Sequence, residues 1–348
     1  MSITADPSTP LPPEHWEPPL PQPRGPVSEV VLDALSHDPG DVAAIPAPTG
    51  DPLADDDLHL ALYACYELHY RGFAGVDPRW EWNPALLAVR AQLEAPFEAA
   101  LRASFPTDHS GPDVRAGLNG IADLPGPGLS GYLREKATRQ QFLEVIVLRS
   151  AYRLKEADPH SFAIPRLENK AKAALVEIEY DEFGSGRPDR IHAVLYRTSM
   201  AAVGLDARYG ACLDLIPGIA LATVNAMSLF GLHRRFRGAV VGHLAIAEMT
   251  SSLSNRRQAE GLRRLGFDKA ATEFFDEHVI ADSVHDVIAL NDMAGGLAAQ
   301  HPELADDILF GATAATGLDN NLAQYVLDRW AAGQSALRSP HEGTRTSH

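Results

Sequence analysis

Cysteine is scarce in this chain: Cys65 and Cys212 are the only two among 348 residues, far apart and without CxxC spacing. That scarcity argues against a disulfide scaffold, a cysteine zinc site and an iron–sulfur cluster, and it fits a reduced, cytoplasmic setting. Positive charge is also in deficit, with 30 Lys and Arg against 46 Asp and Glu and a net charge of −16. Such a chain repels phosphate backbones and anionic lipid, so nucleic-acid and membrane partners are not expected. The one long apolar run, LDLIPGIALATVNAMSLFGL, contains Asp214, Pro217 and Gly218, and reads as a buried helix rather than a membrane span. The opening MSITADPSTPLPPEHW has neither a basic n-region nor an apolar core, so no signal peptide is expected. Alternating strand patterns are nearly absent, and no internal repeat is evident.

What the chain does have is proline at the front and helical periodicity behind it. Residues 1–54 read as a Pro-rich, largely disordered arm with a short helix at VSEVVLDALS. Residues 55–335 read as one helical domain, and the polar tail 336–348 as disordered. Within the domain, apolar residues recur at helical spacing, for example in PALLAVRAQLEAPFEAALRAS, GYLREKATRQQFLEVIVLRSAYRLKE, LENKAKAALVEIEYDE and FRGAVVGHLAIAEMTSSL. Gly and Pro punctuate these segments, and the fold class is all-α.

Several apolar stripes carry groups that do not belong in a plain core. In EHVIADSVHD, spacings of four and three place His278, Asp282 and His285 within roughly 60° of arc, between Phe274 and Phe275 one turn earlier and Ile288 one turn later. In AKAALVEIEYDE the inward series Ala171, Ala174, Leu175, Ile178 ends on Glu182, while Glu177, Glu179 and Asp181 fall on other faces and look solvated. Val241, Leu244 and Ala245 lead to Glu248; Phe142, Val145 and Tyr152 lead to Glu156; His192 heads a stripe through Leu195, Tyr196 and Ser199. Singly, each is an ordinary surface-edge carboxylate or a core histidine bonded to a carbonyl.

Together they form a donor set. Four carboxylates (Glu156, Glu182, Glu248, Asp282) balance the four positive charges of two Fe2+ ions, so the assembly can be buried without net charge. Oxygen and imidazole donors suit iron or manganese better than thiolate-seeking metals. Asp282 and His285 have the i, i+3 spacing of the Glu-x-x-His pairs that build dimetal sites in helical bundles. His243 lies about 140° round the helix from Glu248 and is left out. Arg149 and Tyr152 are candidates to orient ligands. Aspartates 55–57 read as an acidic helix start, and Arg234, Arg235 and Arg237 as a solvated turn.

The run LKEADPHSFAIPRL…KAALVEIEYDEFGSGRPDRIHAVLY, followed by HLAIAEMTSS and EHVIADSVHD, resembles the haem-oxygenase-like diiron oxidase and oxygenase family over roughly residues 55–335. Within that family it looks closest to the central domain of the streptozotocin-pathway N-oxygenase and to stand-alone amine N-oxygenases. The resemblance implies a haem-oxygenase-like helical bundle and six core metal ligands: Glu156, His192, Glu248, His278, Asp282 and His285. It implies that Glu182 is the additional carboxylate of the N-oxygenating members, with a catalytic part. Two Fe2+ are the implied cofactor, with O2 as co-substrate and an external electron donor, and a homodimer is the implied assembly. The implied reaction takes a small amine or amino acid to the hydroxylamine, nitroso or nitro level in specialised metabolism. No cupin chemistry is expected, because the chain stops short of a cupin domain.

Three other functions compete. The same metals could drive oxidative C–C cleavage or desaturation of a small acid, which relatives lacking the seventh carboxylate tend to perform. A ferritin-like iron store would mineralise many irons per chain. A haem protein would need an early proximal histidine, for which His69 in YELHYRGF is a weak candidate beside a structural role; its neighbour Glu67 also reads as structural.

Overall fold

The computed structural model describes residues 17–107 and 113–339, the side chains of 280–284 excepted. Among the described residues there is no strand, and the chain is all-α. The first half contains α1 (Pro26–Leu35), α2 (Asp56–Glu67), α3 (Pro84–Ser104), α4 (Val114–Ala122), α5 (Leu129–Glu135), α6 (Arg139–Arg153) and the short α7 (Asp158–Ser161). The second contains α8 (Asn169–Glu182), α9 (His192–Ala202), α10 (Gly218–Leu232), α11 (Arg237–Arg264), α12 (Lys269–Val287), α13 (Gly295–Gln300) and α14 (Ala305–Ala331). A π-helical turn, Ile288–Ala294, joins α12 to α13. Among the described residues no helix is long and apolar enough to cross a membrane.

Helix α11 is the central element, packed between α12 and α14 and touching α5 and α4. Its approach to α14 requires glycine on both sides. A Cβ on Gly242 would collide with the Ile308 carbonyl oxygen, and one on Gly311 with the Ala239 carbonyl oxygen. Two backbones therefore meet where side chains would normally separate them. Helix α10 is the apolar run read from the sequence; it is buried nearly all round, against α2, α6 and α14.

Local signals explain most boundaries. Thr138 and Gln141 form a reciprocal capping box, which splits the expected single segment 131–156 into α5 and α6. Asp55 accepts from the Asp57 and Leu58 amides and caps α2, as an acidic helix start should. Asp57 then reaches across to accept from the Val27 and Ser28 amides at the start of α1, which has no cap of its own. Residues 17–54, within the segment that composition assigns to an arm, thereby lie on the helical body, with Val27, Val31, Leu32, Leu35 and Leu53 buried. At the other end, Ala336 is buried and donates its N–H to Glu144, which also accepts from Trp330 and Ser335. The expectations for residues 1–16 and 340–348 fall outside the described residues.

Candidate metal centre

Four elements converge on α11. Glu156 lies in the irregular turn after α6, not on the helical stripe expected for it, because α6 ends at Arg153 and Ala157 turns the backbone left-handed at φ 76°. Glu182 is the last residue of α8, and His192 is the first of α9. The FGSGRP segment reverses the chain between them, with Gly184, Ser185 and Gly186 all at positive φ. At Gly184 a Cβ would lie 2.7 Å from the Ile191 amide nitrogen, so the reversal is as tight as a glycine permits. Glu248 stands at mid-α11, and His278 and His285 two turns apart on α12.

These side chains meet in two overlapping groups. Glu156, Glu182, His192 and His278 offer ligand atoms all within 4.8 Å of one another, and so do Glu182, Glu248 and His285. Every member is buried, and Glu182 belongs to both groups. His192 Nδ1 lies 2.8 Å from Glu182 Oε2, His285 Nδ1 3.3 Å from Glu248 Oε2, and His278 Nε2 3.6 Å from Glu156 Oε1. The His192 and His278 rings are 4.3 Å apart between centroids. Six of the seven residues singled out in the sequence are thus brought together; the seventh, Asp282, is on α12 and its side chain lies outside the described residues.

The surrounding hydrogen bonds orient the imidazoles. His278 Nδ1 is 2.9 Å from the Phe274 carbonyl, which can only accept, so that nitrogen carries a proton and Nε2 is the atom turned toward Glu156. His285 Nε2 is 3.1 Å from Asp181 Oδ2, and Asp181 in turn accepts from the Ser185 hydroxyl at 2.7 Å. Burial opposes protonation of His285, but its hydrogen bond to Glu248, the Glu248 charge and the bond to Asp181 outweigh it and lift the imidazole to about 9. Glu182 shows the converse. Burial would raise its carboxyl, yet the charge and hydrogen bond of His192, with His278 and His285 nearby, hold it below the usual carboxylate range. In Glu248 burial and the Glu182 charge prevail and push the carboxyl up.

The donor set fits a metal. The imidazoles and carboxylates converge on one another, the Glu156 Oε2 atom is buried without a partner, and the only ligand chemistry on offer is oxygen and nitrogen. Cations placed here would replace the proton-mediated attraction between these histidines and carboxylates.

The cluster opens on a cavity of about 490 Å³, lined by Glu156, Glu182, Glu248, His278 and Tyr152 among others. Glu179 corrects the sequence expectation: it is 3% exposed and faces this cavity. Its position one turn before Glu182 was the available signal, since residues three apart share a face wide enough to line a cavity. Asp181 is half-exposed as expected, but it is the partner of His285. His243 stays out of both groups and instead pairs with His160 in the cavity wall, Nε2 of His160 lying 3.1 Å from Nδ1 of His243. No stripe signals His160, because α7 is too short to have one. Arg149 lines the cavity while pairing with Asp319 at 2.5 Å. His69 has both ring nitrogens engaged, by Glu81 and Arg90, which leaves none for a haem. Arg235 is paired with Glu98.

Residues 143–320, just over half of the chain, match the family described as iron-containing redox enzymes. No curated protein matches the chain. The matched span contains every residue of both buried groups, and the helical architecture is of the haem-oxygenase-like kind. The chain belongs to the iron-containing redox enzyme family.

Proposed function

We propose that this protein is a non-haem diiron, O2-dependent N-oxygenase that oxidises a small amine or amino acid in specialised metabolism. The observation that carries the reading is the position of Glu182, which lies within ligand reach of both buried groups and so suits a carboxylate shared by two metal positions. Glu156, His192 and His278 would hold one iron; Glu248 and His285, with Asp282, would hold the other. When bound, the pair of irons supplies the activation and reduction of O2 with electrons from an external donor.

The protein's own residues do the rest. Phe274 and Asp181 fix the ring orientations of His278 and His285. The buried cluster withholds water from the reacting centre, and the cavity holds the substrate against it. A second copy of the chain and an external electron donor are the partners proposed.

Anaerobic loading with Fe2+ followed by O2 tests the reading. About two irons per chain, a transient visible absorption and a product heavier than an amine substrate by oxygen are expected. A product that has lost carbon would assign the protein to oxidative C–C cleavage, and many irons per chain to storage. No iron binding would remove the reading altogether.

A further inference from the structure

The cavity wall carries two buried polar side chains that the metal cluster does not use and that have no side-chain atom partnered by the protein. Glu179 is buried with neither carboxylate oxygen partnered. Asn255 is buried with both ends of its amide unpartnered. Both line the cavity, whose mouth is marked by the exposed Leu124, Gly126 and Leu253. Burying such groups without partners costs free energy, and two of them in one cavity wall indicate a polar ligand. Glu179 stands one turn before Glu182 on α8, roughly 5 Å along the helix axis, so a group bound there sits beside the metal cluster.

We propose that Glu179 is the substrate-binding carboxylate of this cavity and takes the cationic nitrogen of an alkylammonium or guanidinium group. The proposal rests on the amine-oxidising reading given above and names the residue that selects the amine. Glu179 belongs to neither ligand group, so it is free of the metals. The arginines in the same wall are engaged elsewhere: Arg149 with Asp319, Arg153 with Glu156, and Arg257 with Ser130. The charged groups that act on Glu179 are carboxylates, Glu182, Glu248 and Asp158. Burial first, and then repulsion by these neighbours, lifts its carboxyl to about 9. An arriving cation supplies the counter-charge that this part of the wall lacks, which favours the ionised carboxylate, any proton on it passing to water.

Calorimetric titration of the full chain, with and without anaerobic Fe2+, tests the proposal with n-butylammonium and its neutral counterpart n-butanol. Wild type is expected to bind n-butylammonium at least tenfold more tightly than n-butanol. Glu179→Gln is expected to erase that preference while its iron content and n-butanol binding stay unchanged. No preference in wild type, or equal n-butylammonium binding by both proteins, overturns the proposal. Loss of iron from Glu179→Gln would make the residue a metal ligand and overturn it too. Should the variant not fold, a crystal of wild type with 4-bromobutylammonium decides: the bromine signal traces the chain, and a nitrogen beyond hydrogen-bond distance of Glu179 is the refuting result. None of these readouts uses O2, so their failure leaves the diiron reading standing. Failure of oxygen transfer would likewise leave the binding result intact.

Discussion

Lys155 Nζ lies 2.7 Å from Glu67 Oε2, and neither side chain reaches solvent. The Tyr209 hydroxyl donates to the other Glu67 oxygen at 2.6 Å, and the rings of Tyr63 and Tyr70 lie 4.6 and 4.3 Å from the ammonium. Lys155 immediately precedes Glu156, so this buried pair ties the irregular turn carrying Glu156 to α2. Replacing Lys155 by Met leaves the Glu67 charge buried and unpaired. The expected cost is about 3–5 kcal/mol of stability, measured by denaturant unfolding. Adding Glu67→Gln to Lys155→Met should recover part of it, and an unchanged stability in the single variant would show that the pair holds nothing.

Glu182 and Glu248 differ in how many groups they join. Glu182→Ala is expected to abolish iron binding at both positions, because it removes a donor from each group. Glu248→Ala is expected to leave close to one iron per chain, held by Glu156, Glu182, His192 and His278. Metal analysis after anaerobic loading and desalting distinguishes the two; equal losses would contradict a shared carboxylate.

Acid should destabilise the fold partly through His59. Its Nε2 is 2.9 Å from the Pro52 carbonyl and its Nδ1 3.1 Å from the Asn225 amide nitrogen, an arrangement suited to the neutral ring. Burial, only partly opposed by the Pro52 bond, lowers it from 6.5 to about 4. Below pH 6.5 the unfolded chain therefore takes up a proton that the folded chain refuses until about 4. The stabilisation is present above 6.5 and is lost as pH falls through this window, by roughly 3 kcal/mol in full. Between pH 7.5 and 4.5 wild type should lose roughly 2 kcal/mol more than His59→Gln in denaturant titrations. Parallel losses would exclude His59 as a contributor.

Gly242→Ala tests the close approach of α11 and α14. The added methyl group meets the Ile308 carbonyl oxygen, which belongs to helix backbone and cannot swing aside. A loss of about 1–3 kcal/mol and a lower thermal midpoint are expected. An alanine tolerated without change would mean that the two helices can separate freely.

Helical periodicity foretold α3, α8, α9 and α10 closely, because each buries one face or is buried all round and its ends carry Pro, Gly or Asn. It misplaced Glu156 on a helix, since nothing in SAYRLKEADP announces that Ala157 adopts a left-handed backbone. Between α12 and α13 the chain widens into a π turn, Ile288–Ala294, against α8 and α11. That π turn depends on packing, not on local propensity.

By itself, the sequence determined the fold class and the kinds of donor available: periodicity is a local property, and a carboxylate or imidazole on an apolar stripe is anomalous wherever the helix goes. Only the tertiary structure decided that Glu182 belongs to two groups at once, that Glu179 faces the cavity rather than solvent, and that Asp181 holds His285. Those facts depend on how separate helices cross, and the crossing is set by long-range contacts such as Gly242 against Ile308, which no single window of sequence contains.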